Sequence, residues 1–302
     1  MINTVSKLRR RVAALAAPLI IALVSPAAAS AITINKDFKP QNEFKLDPWI
    51  EIKLGPLDLS INKAVFLLLL AGLLTCITLY AIARKMQKKP GKMQTVIEMA
   101  YDLNANQITG GNMDSKMAKK WFPFIGTLFF FIWFSNMLGF LPMPTNTEHT
   151  VDVFGLTLPT FALYAATANI SVPLALALVV WLSYHYEGVR AKGPIGYVKG
   201  WIPAGIGGPI LILVVPVEVL SQFVRLISLT ARLFANMLAG HMLILIMGGG
   251  MVVLLGSVFA VVTLPIGFAF YLFELLLVGS LQAFIFTILS AIYIGGAVAQ
   301  EH

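Results

Sequence analysis

Residues 217–247 read VEVLSQFVRLISLTARLFANMLAGHMLILIM, 31 residues without proline in which only Glu218, Arg225, Arg232 and His241 are ionisable. As a helix this run extends about 46 Å, whereas the hydrocarbon core of a bilayer is about 30 Å thick. A segment this apolar spans lipid, and one this long must lie at a steep tilt. Its polar residues are not scattered. At about 100° per residue from Glu218, Ser221 falls near 300°, Arg225 near 340°, Ser228 near 280°, Arg232 near 320° and Asn236 near 0°, so one face about 80° wide carries all six. Ser228, Ala231, Ala235, Ala239 and Gly240 leave the nearby surface with little bulk, which permits close approach of a neighbouring helix.

The following apolar segment is built alike. Ile266–Ala297 is again proline-free, and across Trp201–Gln300 the ionisable set is Glu218, Arg225, Arg232, His241 and Glu274. A charge at a membrane helix centre costs about 2.5 to 3.5 kcal/mol on insertion scales, so each of these calls for a partner or a function. Ser221, Ser228 and Arg225 read equally well as glue between helices. Arg232 does not, because the nearest acid on its own helix, Glu218, is about 21 Å away along the axis. Its carboxylate comes either from Glu274 on the facing helix or from another chain. His241, near 140°, is off the stripe and reads as a structural histidine or a proton relay. Glu274 and Gln282 are eight residues apart, about 80° around an α-helix, close enough to line one aqueous cleft; an interhelical hydrogen bond explains Gln282 as well.

The whole chain obeys the same logic. Of 302 residues, 58% are hydrophobic and 12% charged, against about 25% charged in an average soluble domain. The net charge of +8 comes from Lys and Arg at the edges of apolar runs, not from a broad patch, so no nucleic-acid partner is expected. The single cysteine, Cys76, excludes an intrachain disulfide and a cysteine-based metal site. No metal or cofactor constellation is visible.

Five spans and one interfacial helix account for the pattern. Residues 1–31 carry basic residues, an apolar stretch from Val12 to Val24 and small residues ending in Ala29-Ser30-Ala31, which is the pattern of a secretory signal peptide, the alternative being a retained first helix. Residues 32–63 form an extracytoplasmic arm with little regular structure, and residues 64–302 the membrane domain. Spans are expected over about Ala64–Ala83, Trp121–Pro142 and Ala165–Tyr184, then two long elements separated by Gly248-Gly249-Gly250. Gln94–Ile108 reads as a helix at the interface. Arg84, Lys85, Lys88, Lys89 and Lys92, and later Arg190, Lys192 and Lys199, mark the cytoplasmic side; the loop Met143–Leu158 has no Lys or Arg. The N-terminus is therefore outside and the C-terminus cytoplasmic. The fold class is an all-α polytopic membrane protein whose last two helices are long, steeply tilted and paired as a hairpin.

The stretch Ser228-Leu229-Thr230-Ala231-Arg232-Leu233-Phe234-Ala235-Asn236-Met237-Leu238-Ala239-Gly240-His241 resembles the signature of the subunit a family of F-type rotary ATP synthases. Leu281-Gln282-Ala283-Phe284-Ile285-Phe286 resembles its second signature, and Pro90-Gly91-Lys92-Met93-Gln94 with Phe122-Pro123 the region after its first span. The resemblance covers about Leu57–His302. It implies a non-catalytic stator in a bacterial inner membrane, with a ring of c subunits, b-type peripheral stalk subunits and the lipid bilayer as partners, and no cofactor. It implies that Arg232 faces the ring carboxylates and separates two half-channels lined by Glu218, Asn236, His241, Glu274 and Gln282. The interval from Glu274 to Gln282 is one residue longer than in the family, and Gly139 and Asn169 stand where some relatives carry acids. A self-contained secondary transporter or channel is the alternative. Transporters of that kind show internal repeats, whereas the ionisable cluster here is confined to the last third of the chain.

Overall fold

The computed structural model describes residues 44–55, 57–84, 91–143, 150–153, 156–159, 163–201, 210–247 and 260–299. The expected signal peptide, the first part of the arm (residues 32–43) and the Gly248–Gly250 break lie outside the described residues. A hairpin of β1 (Lys53–Leu54) and β2 (Leu57–Asp58) precedes α1 (Lys63–Arg84). α2 (Lys92–Asp102) runs into a π-helical turn, Leu103–Thr109, and is followed by α3 (Ser115–Gly139), then by β3 (Thr150–Val153) and β4 (Leu156–Pro159). After a 3-10 turn, Ala166–Ala168, come α4 (Ser171–Lys192), α5 (Pro194–Lys199), α6 (Leu211–Leu245), α7 (Ala260–Phe273), a second π turn, Glu274–Val278, and α8 (Gly279–Val298).

Five helices are long and apolar enough to cross a membrane: Lys63–Ile82, Ser115–Gly139, Ser171–Lys192, Leu211–Leu245 and Val261–Val298. The last two have 35 and 38 residues, about 52 and 57 Å of helix, so both must tilt to stay within a core about 30 Å thick. The chain divides into two compact units, one of Lys45–His241 with Glu274–His302, the other containing Met242–Phe273. In the first, α3 is central and packs against α1 and α8, and α8 packs against α4. Ile125, Phe130, Ile132, Phe286 and Ile294 are buried there. In the second, α7 exposes Val261, Val262, Phe268 and Phe273, as a lipid-facing helix does.

Local chemistry explains where the elements begin and end. Asn62 accepts the Val65 N–H at 3.0 Å, capping the start of α1. The third span starts at Ser171 instead of about Ala165, because Asn169 Oδ1 accepts the Ser171 N–H at 3.0 Å after the 3-10 turn. It continues to Lys192 and ends at Gly193, whose φ of +73° suits a glycine helix stop. The segment expected as an interfacial helix is helical, but Asn104, Ile108 and Thr109 in its π turn are buried against α3 and α8, so its second half belongs to the bundle. The arm is more regular than expected. Residues Ile50 and Ile61 bridge across the β1–β2 hairpin, Gly55 turns it with φ +63°, and hydrogen bonding from the Ser60 side chain and then from its N–H, at 3.0 Å, holds the Asp58 carboxyl below the usual carboxylate range.

Near the basic end of α3, Lys120 Nζ lies 2.5 and 2.6 Å from the two oxygens of Glu187 on α4. This ion pair locks two spans where both reach the charged loops.

Candidate functional site

α6 buries one side and leaves another open. Gln222, Leu229, Leu233, Met237 and Gly240 are buried, and at about 100° per residue they lie between about 20° and 100° on the scale of Glu218. The polar stripe therefore runs along the border of this packed face. Ser228, Ala231, Ala235 and Ala239 on its far side are exposed.

At one end, Glu218, Arg225, Gln222 and Tyr184 form a network. Glu218 Oε1 accepts from Gln222 Nε2 at 3.1 Å and lies 3.8 Å from Arg225 Nη2. The Tyr184 hydroxyl donates to Gln222 Oε1 at 3.2 Å, and Trp181 Nε1 donates to the Gln222 carbonyl at 3.1 Å. Arg225 also covers the ring of Tyr293, 5.6 Å from its centroid, a favourable cation–π distance. These groups border a cavity of about 490 Å³ that also meets Lys192, Tyr197 and Trp201. Burial pushes the Tyr197 phenol up from its ordinary value, so this wall donates hydrogen bonds without adding charge. Gln222, Tyr184 and Tyr293 escape a stripe-based reading; the available clue is a glutamine one helical turn after a membrane acid.

In the middle, Asn236 Nδ2 donates to Gln282 Oε1 at 2.7 Å, joining α6 to α8. One turn further along α6, the Glu274 carboxylate lies so close to Gly240 that a Cβ there would overlap it. As α6 numbers rise from 236 to 240, those of the partner fall from 282 to 274, so the two segments are antiparallel. Glu274 Oε2 and Gln282 Nε2 are buried with no hydrogen-bond partner among the described residues.

His241 is fully buried, with Nδ1 2.9 Å from the Met237 carbonyl and Nε2 2.9 Å from the Gly139 carbonyl. A neutral imidazole donates through one nitrogen only, and the imidazolium through both. Its ring stacks on Phe140 at 4.7 Å. Gly139 has no room for an acid, since even a Cβ would overlap Ala165.

Arg232 is half-buried and has no ion pair or side-chain hydrogen bond among the described residues. Glu274 is thus not its partner within the chain. Ser221 and Ser228, expected on the same stripe, likewise make no side-chain hydrogen bond among the described residues.

The sequence profile of the family described as ATP synthase A chain matches residues 65–295, most of the chain. The chain belongs to the ATP synthase subunit a family. It is 35% identical to ATP synthase subunit a of Frankia alni over 86% of this chain and 85% of that protein. It is 33% identical to the subunit a proteins of Hyphomonas neptunium, over 86% and 95% of the two chains, and of Paramagnetospirillum magneticum, over 86% and 98%. Subunit a membership makes this an all-α, multi-pass membrane component of the proton-translocating Fo sector.

Proposed function

We propose that this chain is the stator that delivers protons to and from the carboxylates of a rotating c ring through two half-channels kept apart by Arg232. The observation that carries the reading is the half-buried Arg232 guanidinium, without an acid among the described residues, beside an exposed row of Ser228, Ala231, Ala235 and Ala239. A guanidinium is always charged and forks onto carboxylates. The small row makes space for a helix to bring one. The Glu218–Gln222–Arg225 cavity lies by the basic loop residue Lys192 and serves as the cytoplasmic half-channel. The cluster of Asn236, Gln282, Glu274 and His241, toward the other end of α6, serves the outer one, with Ser221 and Ser228 as secondary polar groups.

A proton from the outer cleft neutralises a ring carboxylate and lets that subunit turn into lipid, where the charged form is costly. After nearly a full turn it reaches the other cleft and ionises. Arg232 favours the ionised carboxylate between the clefts and blocks direct passage. Transfer across the membrane potential supplies about 2.3 kcal/mol per charge per 100 mV. The b-type stalk holds the chain against rotation, and ATP chemistry takes place on other subunits.

The test is ATP-driven quenching of a pH dye in vesicles holding the whole complex. Arg232→Lys assembles but abolishes pumping, because the compact ammonium lacks the planar fork. Substantial pumping by assembled Arg232→Lys sinks the mechanism. Repeating the assay with and without sodium identifies the coupling ion.

A further inference from the structure

We propose that the π turn at Glu274–Val278 is a register device: it absorbs one extra residue so that Glu274 shares a helix face with Gln282 and meets Gly240, and Asn136 holds the turn in place. The inference rests on the reading of Glu274 and Gln282 as proton-path residues. In an uninterrupted α-helix their eight-residue separation leaves the two side chains about 80° apart. Their contacts are nevertheless in line. Gln282 meets Asn236 at 2.7 Å, and Glu274 meets Gly240, four residues later and on the same face of α6.

A π turn closes hydrogen bonds from residue i to i+5, one more residue per ring than the α-helix. Eight steps through it advance the face as about seven α steps do, which brings Glu274 to within about 20° of Gln282. Without the wide turn, the extra residue would rotate Glu274 by about 100° away from Gly240.

The surroundings fit the turn at its C-terminal edge. Gly279 lies where a Cβ would come within 2.8 Å of Met137 Cε, so a side chain on the residue closing the turn would have to displace the Met137 methyl. Asn136 Nδ2 donates to the Gly279 carbonyl at 3.0 Å, and Thr167 Oγ1 donates to Asn136 Oδ1 at 2.8 Å. Asn136 and Thr167 are both fully buried. Trp133 Nε1 donates to Ser280 Oγ at 3.1 Å. A wide turn disturbs the regular pairing of helical carbonyls, and α3 offers it a side-chain donor. On the other side, Leu276 and Leu277 are 64% and 58% exposed, so the extra residue bulges away from the packed face. Asn136 is a positioning residue, acting on Glu274 through the turn.

The test uses the whole complex in vesicles, with pumping normalised to ATP hydrolysis. Deleting Leu276 leaves seven α-helical steps between Glu274 and Gln282, and pumping stays within about twofold of the parent. Exchanging Glu274→Leu with Leu275→Glu gives the spacing an uninterrupted helix would require, and pumping falls about tenfold or more. Loss of pumping in the assembled deletion variant, or normal pumping in the exchange variant, overturns the proposal. Asn136→Leu lowers pumping, and deleting Leu276 in that background restores it; absence of rescue removes Asn136 from the device.

Cross-linking reads the register independently of function, in a chain carrying Cys76→Ser. Gly240→Cys with Glu274→Cys forms a disulfide, and Gly240→Cys with Leu275→Cys does not; the reverse pattern overturns the proposal. If Glu274→Gln pumps normally while the cross-links follow the first pattern, it is the proton-path role of Glu274 that fails and the register that stands.

Discussion

Arg225 and Arg232 are seven residues apart on one helix, and their surroundings separate their roles. Arg225 has Glu218 at 3.8 Å and the Tyr293 ring beneath it; Arg232 has neither an acid nor a ring among the described residues. Arg225→Ala therefore slows ATP-driven pumping by less than about tenfold, since it removes a partly solvated pair worth about 1 kcal/mol. Arg232→Ala abolishes pumping and leaks protons under an imposed potential. Equal phenotypes in the dye assay would contradict the distinction. Gln222 is a milder case. Gln222→Leu removes two hydrogen bonds, one to the Glu218 carboxylate and one from the Tyr184 hydroxyl. Only the first touches a proton-path residue, and its loss of about 1 kcal/mol corresponds to a pumping rate lower by about fivefold; an unchanged rate shows that Gln222 only packs.

Among the helices, the Lys120–Glu187 pair ties α3 to α4. Glu187 is 6% exposed and Lys120 43%, so the two substitutions are not equivalent. Lys120→Met leaves a buried carboxylate uncompensated and costs about 3 kcal/mol, whereas Glu187→Gln leaves a cation that reaches water and costs about 1 kcal/mol. Thermal unfolding of the purified subunit in detergent measures both, and a reversed order would show that Glu187 is better solvated than its burial implies. Gly240 is a tighter constraint of the same kind. Gly240→Ala drives a methyl into the Glu274 carboxylate and opens α6 from α8. The Asn236→Cys and Gln282→Cys pair then cross-links more slowly than in the glycine parent; an unchanged rate would mean that Glu274 swings aside at no cost.

For the molecule as a whole, five spans put the two ends of the membrane domain on opposite sides, and the Lys and Arg loops predict a cytoplasmic C-terminus. A C-terminal reporter is expected to be active only there, and periplasmic activity would reverse the orientation. The expected signal peptide predicts a mature chain beginning near Ile32, whereas an intact Met1 in the purified complex identifies a retained anchor.

The spans, their number, the excessive length of the last two and the stripe from Glu218 to Asn236 are legible in the sequence alone. Apolar run length and helical phase are properties of consecutive residues, and lipid imposes the same demand on every span. The start of α4 lies about six residues beyond where apolar continuity puts it, because the 3-10 turn and the Asn169 side-chain bond to Ser171 N–H precede the helix. The two hairpins are not legible in the sequence, because short strands leave no periodic trace. Which polar residues meet was beyond the reach of phase. Gln222 owes its place to Tyr184 and Glu218, His241 to the Gly139 carbonyl, and Glu274 to a wide turn that a constant 100° step cannot represent. Most such pairings join distant residues: Tyr184 and Gln222 are 38 positions apart, Gly139 and His241 102, and Asn136 reaches Thr167 and Gly279, 31 and 143 positions away. Such contacts depend on how helices pack, and only the tertiary structure fixes that geometry, because side-chain hydrogen bonds select among helix rotations that the bilayer itself leaves nearly equal.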